Sequence, residues 1–215
     1  MAACTAANER RKRKILIFTF DIETTGCDVN LHSMIAAGYC AGTLDDQIVA
    51  KGRICFQMRP GTVMEDRCYN EYWSKDPRQL QQLTEFTKEG QPPDIAIAKF
   101  IDVLDKLETS WNVHCISDNP GFDAMFLNYY LSKYLNRRPL DYVHGLEDYR
   151  GGVETPLDFA HRFKCKKNRS YGYYFDCKAA NHLIAKIEVP HDHYPENDAH
   201  NMYKKTLVYC RDFQR

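Results

Sequence analysis

A chain of 215 residues is long enough to bury a substantial core as one domain. Its 29 basic and 29 acidic side chains cancel, which excludes attraction to nucleic acid through bulk charge and leaves that task to local patches or bound cations. No stretch approaches the roughly 18 apolar residues of a membrane span, and the start lacks the apolar middle of a secretion signal.

The nine cysteines form no C-x-x-C pair and are odd in number, so neither a zinc ribbon nor a disulfide framework is expected. The expectation is an intracellular protein, cytoplasmic or nuclear, with reduced and mostly structural thiols.

Residues 1–14 read as a flexible N-terminus that ends in the basic run 10–14, and 15–215 as a single domain. The apolar stretch 15–20 predicts a buried strand. Strands at 33–41 and 47–58, separated by the turn-forming Asp45-Asp46, complete an antiparallel meander with it. The region 59–91 is polar, carries Tyr72-Trp73 and holds a short helix near 77–84.

After Pro92-Pro93, apolar residues at 97, 100, 101 and 104 give the period of an amphipathic helix over 95–107. A short strand at 113–117 and an aromatic-rich helix at 122–134 follow. The segment 136–170 is loop-rich, with a turn at Gly151-Gly152, and 176–187 reads as a helix. The last helix should begin at Pro195, with Ala199, Met202, Tyr203, Thr206, Tyr209 and Cys210 on one face. Strands first, then helices alternating with a strand, give an α/β fold with a mixed central β-sheet flanked by α-helices.

Three segments carry chemistry. Asp21 and Glu23 follow the first strand two residues apart, so both carboxylates can point at one spot, and Thr24-Thr25-Gly26 forms a turn whose backbone can approach a ligand. Such oxygen donors suit Mg²⁺ or Mn²⁺, although two solvated charges at a strand end would look the same. Asp123 falls in the first turn of a helix after Pro120-Gly121, where the helix dipole alone accounts for a carboxylate. His193 precedes the last helix and Asp198 lies one turn inside it, so an imidazole and a carboxylate can flank one cavity. A neutral imidazole there is suited to general-base work.

Taken together, in order and spacing, these segments resemble the DEDD superfamily of 3′–5′ exonucleases. Asp21 and Glu23 match the first motif, and Asn119 through Phe122 to Asp123 matches the second, N-x-x-F-D. His193 and Asp198 match the H-x(4)-D motif of the histidine subclass, followed as usual there by Ala199. Asp118 departs from the pattern, since many members carry His at that place. Tyr194 also fits the Y-x(3)-D pattern of the tyrosine subclass, so His193 and Tyr194 compete for one role, with His191 a neighbouring decoy.

The resemblance implies a ribonuclease H-like fold and two divalent ions, Mg²⁺ or Mn²⁺, held by Asp21, Glu23, Asp123 and Asp198. It also implies His193 as general base and nucleoside 5′-monophosphate as product. Thr24, Thr25, Gly26, Asn119 and Phe122 would meet the terminal nucleotide. The expected partners are single-stranded 3′ ends of DNA or RNA, with no membrane and with homodimerisation left open. The segment 164–175 mixes basic and aromatic residues and reads either as a single-strand contact or as a hairpin with its rings packed inward. Two alternatives stand beside this reading: a scavenger of very short RNAs, and a non-catalytic nucleic-acid-binding module on the same fold.

Overall fold

The computed structural model describes residues 13–117, 119–137, 140, 143–145 and 192–212. The expected helix at 176–187, the turn at Gly151-Gly152, the segment 164–175, His191 and most of the basic run 10–14 lie outside them.

The first strand, β1 (Ile15–Thr24), puts Leu16, Phe18, Phe20 and Ile22 into the main core. By the two-residue period, Ile17, Thr19, Asp21 and Glu23 occupy the opposite face. The strand therefore runs past its apolar stretch. Asp21 and Glu23 do not follow it but lie within it, paired with Gly38 and Ala36 of the next strand. Alternation with Phe20 and Ile22 keeps this polar end in the sheet, up to a register shift between Glu23 and Thr24.

The neighbouring β2 (Met34–Thr43) and β3 (Ile48–Cys55) form the expected antiparallel meander. A helical turn, Asp66–Cys68, then runs directly into a π-helical turn, Tyr69–Trp73, closed by the Ser74 amide on the Tyr69 carbonyl at 2.8 Å. Next come α1 (Pro77–Glu89), α2 (Pro93–Ser110), β4 (Asn112–Ser117), α3 (Pro120–Leu135), β5 (Val143–Gly145) and α4 (Pro195–Asp212). Asp76 caps α1 by accepting from the Arg78 amide at 2.8 Å, with Pro77 in the first turn. The helix extends beyond the expected 77–84 because Phe86 is buried on its inner side.

Strand β4 runs parallel to β1, and β5 parallel to β4, giving a mixed sheet in the order β3-β2-β1-β4-β5. One face is covered by α2 and α3, whose Ile97, Phe100, Leu104, Phe126, Leu127 and Tyr130 join the β1 residues in one core. Each such side chain contributes about 1.5–3 kcal/mol on burial. No helix among the described residues is long and apolar enough to cross a membrane.

The other face receives α4 through two glycines of β2. A Cβ on Gly38 would stand 2.0 Å from the Pro195 carbonyl carbon, and one on Gly42 would stand 2.4 Å from the Tyr203 ring. Eight residues of helix advance about 12 Å and four residues of strand about 13 Å, so both gaps serve one straight helix. The Thr19 hydroxyl donates to the Ala199 carbonyl at 2.6 Å, and the Tyr203 hydroxyl donates to the Thr43 carbonyl at 2.7 Å. Because Gly38 is the pairing partner of Asp21, the first turn of α4 is seated beside the acidic end of β1.

Candidate active site

The seating of α4 brings three of the sequence-predicted residues together. One ligand atom each from Glu23, His193 and Asp198 lies within 4.8 Å of the other two. Glu23 and Asp198 are both buried and His193 is half-buried. Asp21, half-buried, shares the Glu23 face of β1 two residues earlier. Asp198 stands in the first turn of α4, where the helix dipole favours a carboxylate. The donors are carboxylate oxygens and one imidazole, a set that fits hard divalent cations such as Mg²⁺ or Mn²⁺.

His193 has φ +59°, a left-handed conformation uncommon for a residue with a side chain, though His is among the types enriched there. Strain of this kind persists only where the surroundings hold it. Here α1 supplies the hold. The Gln82 amide donates to the Asp192 carbonyl just before His193, and the Tyr194 hydroxyl donates to Glu85 at 2.9 Å just after it. Asp192 accepts from the Tyr194 amide at 3.2 Å and from the Asn197 side chain at 2.9 Å, tying the loop to α4. Arg53 adds a staple from β3: it pairs with Glu196 at 3.1 Å and Glu89 at 3.0 Å, its guanidinium over the Phe86 and Tyr194 rings.

His193 and Tyr194, which compete for one role in the sequence, have different surroundings. Tyr194 is spent on Glu85, Phe86 and Arg53, while His193 joins Glu23 and Asp198.

Tyr72, which sequence reasoning left out of the site, donates to both Glu23 oxygens, at 3.2 and 3.3 Å, and meets the His193 ring edge-on at 5.2 Å. Burial first, then the negative charges of Glu23, Asp21 and Asp198, push its hydroxyl far above the usual tyrosine range, so it stays a donor. The neighbouring Trp73 is buried and donates to the Thr24 carbonyl at 3.2 Å. The sequence marked the Tyr72-Trp73 pair, in a polar stretch, without assigning either residue to the site.

The Thr24-Thr25-Gly26 turn is tightly built. Thr25 is fully buried: its amide donates to the Ser33 carbonyl, its carbonyl accepts from Glu65, and its hydroxyl donates to the Val63 carbonyl at 3.0 Å. Thr24 donates to the Gly26 carbonyl at 2.9 Å. These threonines form the loop's scaffold, and its surface beyond Gly26 begins at the exposed Cys27. A Cβ on Gly26 would stand 2.6 Å from the His32 ring, so only glycine fits this bend at φ +156°.

Asp123 lies in the first turn of α3, as the sequence indicated, and is almost fully buried. It is not one of the three groups that converge. It stands beyond the carboxyl end of β4, the parallel neighbour of β1, and accepts a hydrogen bond from the buried Ser117 hydroxyl. Asn119 is exposed and starts α3, its carbonyl accepting from the Phe122 and Asp123 amides at 2.9 Å. Phe122 is half-buried with its ring 5.1 Å from that of Phe126.

No family model matches the chain, and neither does any curated protein sequence. Solved structures do. The chain has the ribonuclease H-like α/β fold, a mixed sheet flanked by helices, and its structural neighbours are exonucleases I. E. coli exonuclease I in complex with a dT13 oligonucleotide superposes with a TM-score of 0.60 at 12% identity, over 94% of this chain and 42% of that one. The product-bound exonuclease I gives 0.55 at 12% identity, over 94% and 46%. The moderately thermophilic exonuclease I from Methylocaldum szegediense gives 0.56 at 11% identity, over 93% and 43%. The chain spans less than half the length of these structures, and at such identities the likeness shows the fold.

Proposed function

We propose that this chain is a metal-dependent 3′–5′ exonuclease acting on single-stranded nucleic acid, with His193 as general base. The observation that carries the reading is the convergence of Glu23, His193 and Asp198 at the end of β1 that also bears Asp21. The fold adds support, because the neighbouring exonucleases I include complexes with dT13 and dA16 oligonucleotides. DNA is therefore the first substrate to offer.

Asp21, Glu23 and Asp198, with Asp123 from the first turn of α3, would hold two divalent cations. Bound there, such ions lower the pKa of water and neutralise charge at both the attacking and the leaving oxygen of an in-line displacement. The protein's own part is positional. His193, fixed by its strained backbone beside Glu23 and Asp198, takes a proton from the attacking water. The new bond forms between that water's oxygen and phosphorus. The bond to the 3′ oxygen of the penultimate nucleotide breaks, and that oxygen leaves as a hydroxyl after gaining a proton. A nucleoside 5′-monophosphate is released. Gly26, Asn119 and Phe122 would meet the terminal nucleotide.

Product analysis tests this reading. With Mn²⁺ or Mg²⁺, single-stranded DNA should yield nucleoside 5′-monophosphates by chromatography, and matched RNA and duplex arms rank the substrates. EDTA should abolish release. Nucleoside 3′-monophosphates, or undiminished release in EDTA, would contradict the proposal.

A further inference from the structure

We propose that Tyr72 is a positioning residue of this site, its hydroxyl orienting the Glu23 carboxylate and its ring confining the His193 imidazole. The inference rests on the proposed role of Glu23 and His193 and assigns part of their geometry to a residue outside the motifs.

The placement is specific. One phenol oxygen stands 3.2 and 3.3 Å from the two oxygens of Glu23, a straddling contact that fixes how the carboxylate is turned. The edge-on ring contact at 5.2 Å closes one side of His193, whose backbone is already strained. A single side chain thus touches two of the three converging groups.

Packing of the ring does not account for the hydroxyl contact to Glu23. Trp73, buried completely and bonded to the Thr24 carbonyl, already holds the turn in place. The π-helical turn at Tyr69–Trp73 carries both aromatics: Trp73 is buried in the small core of Ile35, Ala36, Cys55 and Phe86, while the Tyr72 ring packs against the edge of that core and its hydroxyl reaches the carboxylate. Such turns carry an extra residue per turn and recur at functional sites. Partners of metal ligands typically contribute 10–100-fold in metal affinity or activity.

Calorimetric titration with Mn²⁺, without nucleic acid, tests the hydroxyl. Tyr72→Phe keeps the ring and should weaken Mn²⁺ binding about 10-fold, while kcat at saturating Mn²⁺ returns to within about 3-fold of the parent. Tyr72→Leu should weaken binding to the same degree. It should also shift the His193 ring-proton NMR resonances through loss of the ring current and lower kcat at saturating Mn²⁺ about 10-fold or more.

Unchanged Mn²⁺ affinity in Tyr72→Phe overturns the proposal, whatever Tyr72→Leu does. If Tyr72→Leu loses its near-UV circular dichroism, the isosteric Tyr72→Phe decides alone. Glu23→Gln separates the two readings: loss of Mn²⁺ binding in Glu23→Gln beside normal binding in Tyr72→Phe sinks only the role of Tyr72. A parent protein that binds no Mn²⁺ overturns the site itself, and this inference with it.

Discussion

Adjacent residues with interchangeable sequence patterns have different surroundings here. Tyr194 donates to Glu85 and packs on Phe86, whereas His193 faces Glu23 and Asp198. His193→Ala should lower kcat by about two to four orders of magnitude, the usual cost of losing a general base. Tyr194→Phe removes one hydrogen bond and should cost about 0.5–1.5 kcal/mol of stability with little change in kcat. Steady-state kinetics and thermal melts on both variants check the pair. An inactive Tyr194→Phe beside an active His193→Ala would reverse the assignment.

The carboxylates were legible because D-x-E, N-x-x-F-D and H-x(4)-D fix residue types at fixed spacing. Tyr72 was not, because its partner Glu23 lies 49 residues away and a π-helical turn leaves no period to read. Thr25, expected at the substrate through its backbone, also closes the loop, a task that its motif does not announce. Among the described residues, Cys40, Cys55 and Cys115 are free and buried. Burial pushes the thiols of Cys40, Cys55 and Cys115 up to about 12, and that of Cys68 to about 11. At pH 8 a thiol of pKa near 12 is thiolate in only about one molecule in ten thousand, and the thiolate is the reactive form. Alkylation followed by peptide mass spectrometry should therefore modify the exposed Cys27 well before Cys40, Cys55 or Cys115.

At the scale of elements, the site exists because α4 lies close on β2. Glycines in a strand interior signal close approach of another backbone, and Gly38 and Gly42 could have been read that way. What sequence could not supply was the object that approaches, since α4 arrives more than 150 residues later. Gly38→Ala puts a methyl group 2.0 Å from the Pro195 carbonyl carbon and 2.1 Å from the Glu196 amide nitrogen, backbone that cannot swing aside. Overpacking of this kind costs about 1–3 kcal/mol. The displaced first turn carries Asp198, and a misplacement near 1 Å can cost about 100-fold in rate. Activity should therefore fall much further than the melting temperature indicates, and kcat alongside a thermal melt measures both. Normal activity in Gly38→Ala would mean that Asp198 does not depend on this seat.

Across the whole molecule, charge is balanced at 29 of each sign, yet the acidic end of β1 and the first turn of α4 gather carboxylates on one side. Cations bound only by the folded state stabilise it by mass action, about 2.7 kcal/mol at a hundred times the dissociation constant. Mg²⁺ or Mn²⁺ should raise the melting temperature, and Asp198→Asn should abolish most of that rise. The meander, the short strand β4 and the final helix were legible from the sequence pattern, whereas the ribonuclease H-like fold was what the motif resemblance implied, and the structure has it. The direction of attack along a strand is the property that this arrangement is proposed to confer. A time course on a 5′-labelled single-stranded DNA in Mn²⁺ reads it directly. The account predicts a ladder that shortens one nucleotide at a time from the 3′ end, absent in Glu23→Gln. A labelled mononucleotide as first product, or an unchanged ladder with Glu23→Gln, would contradict it.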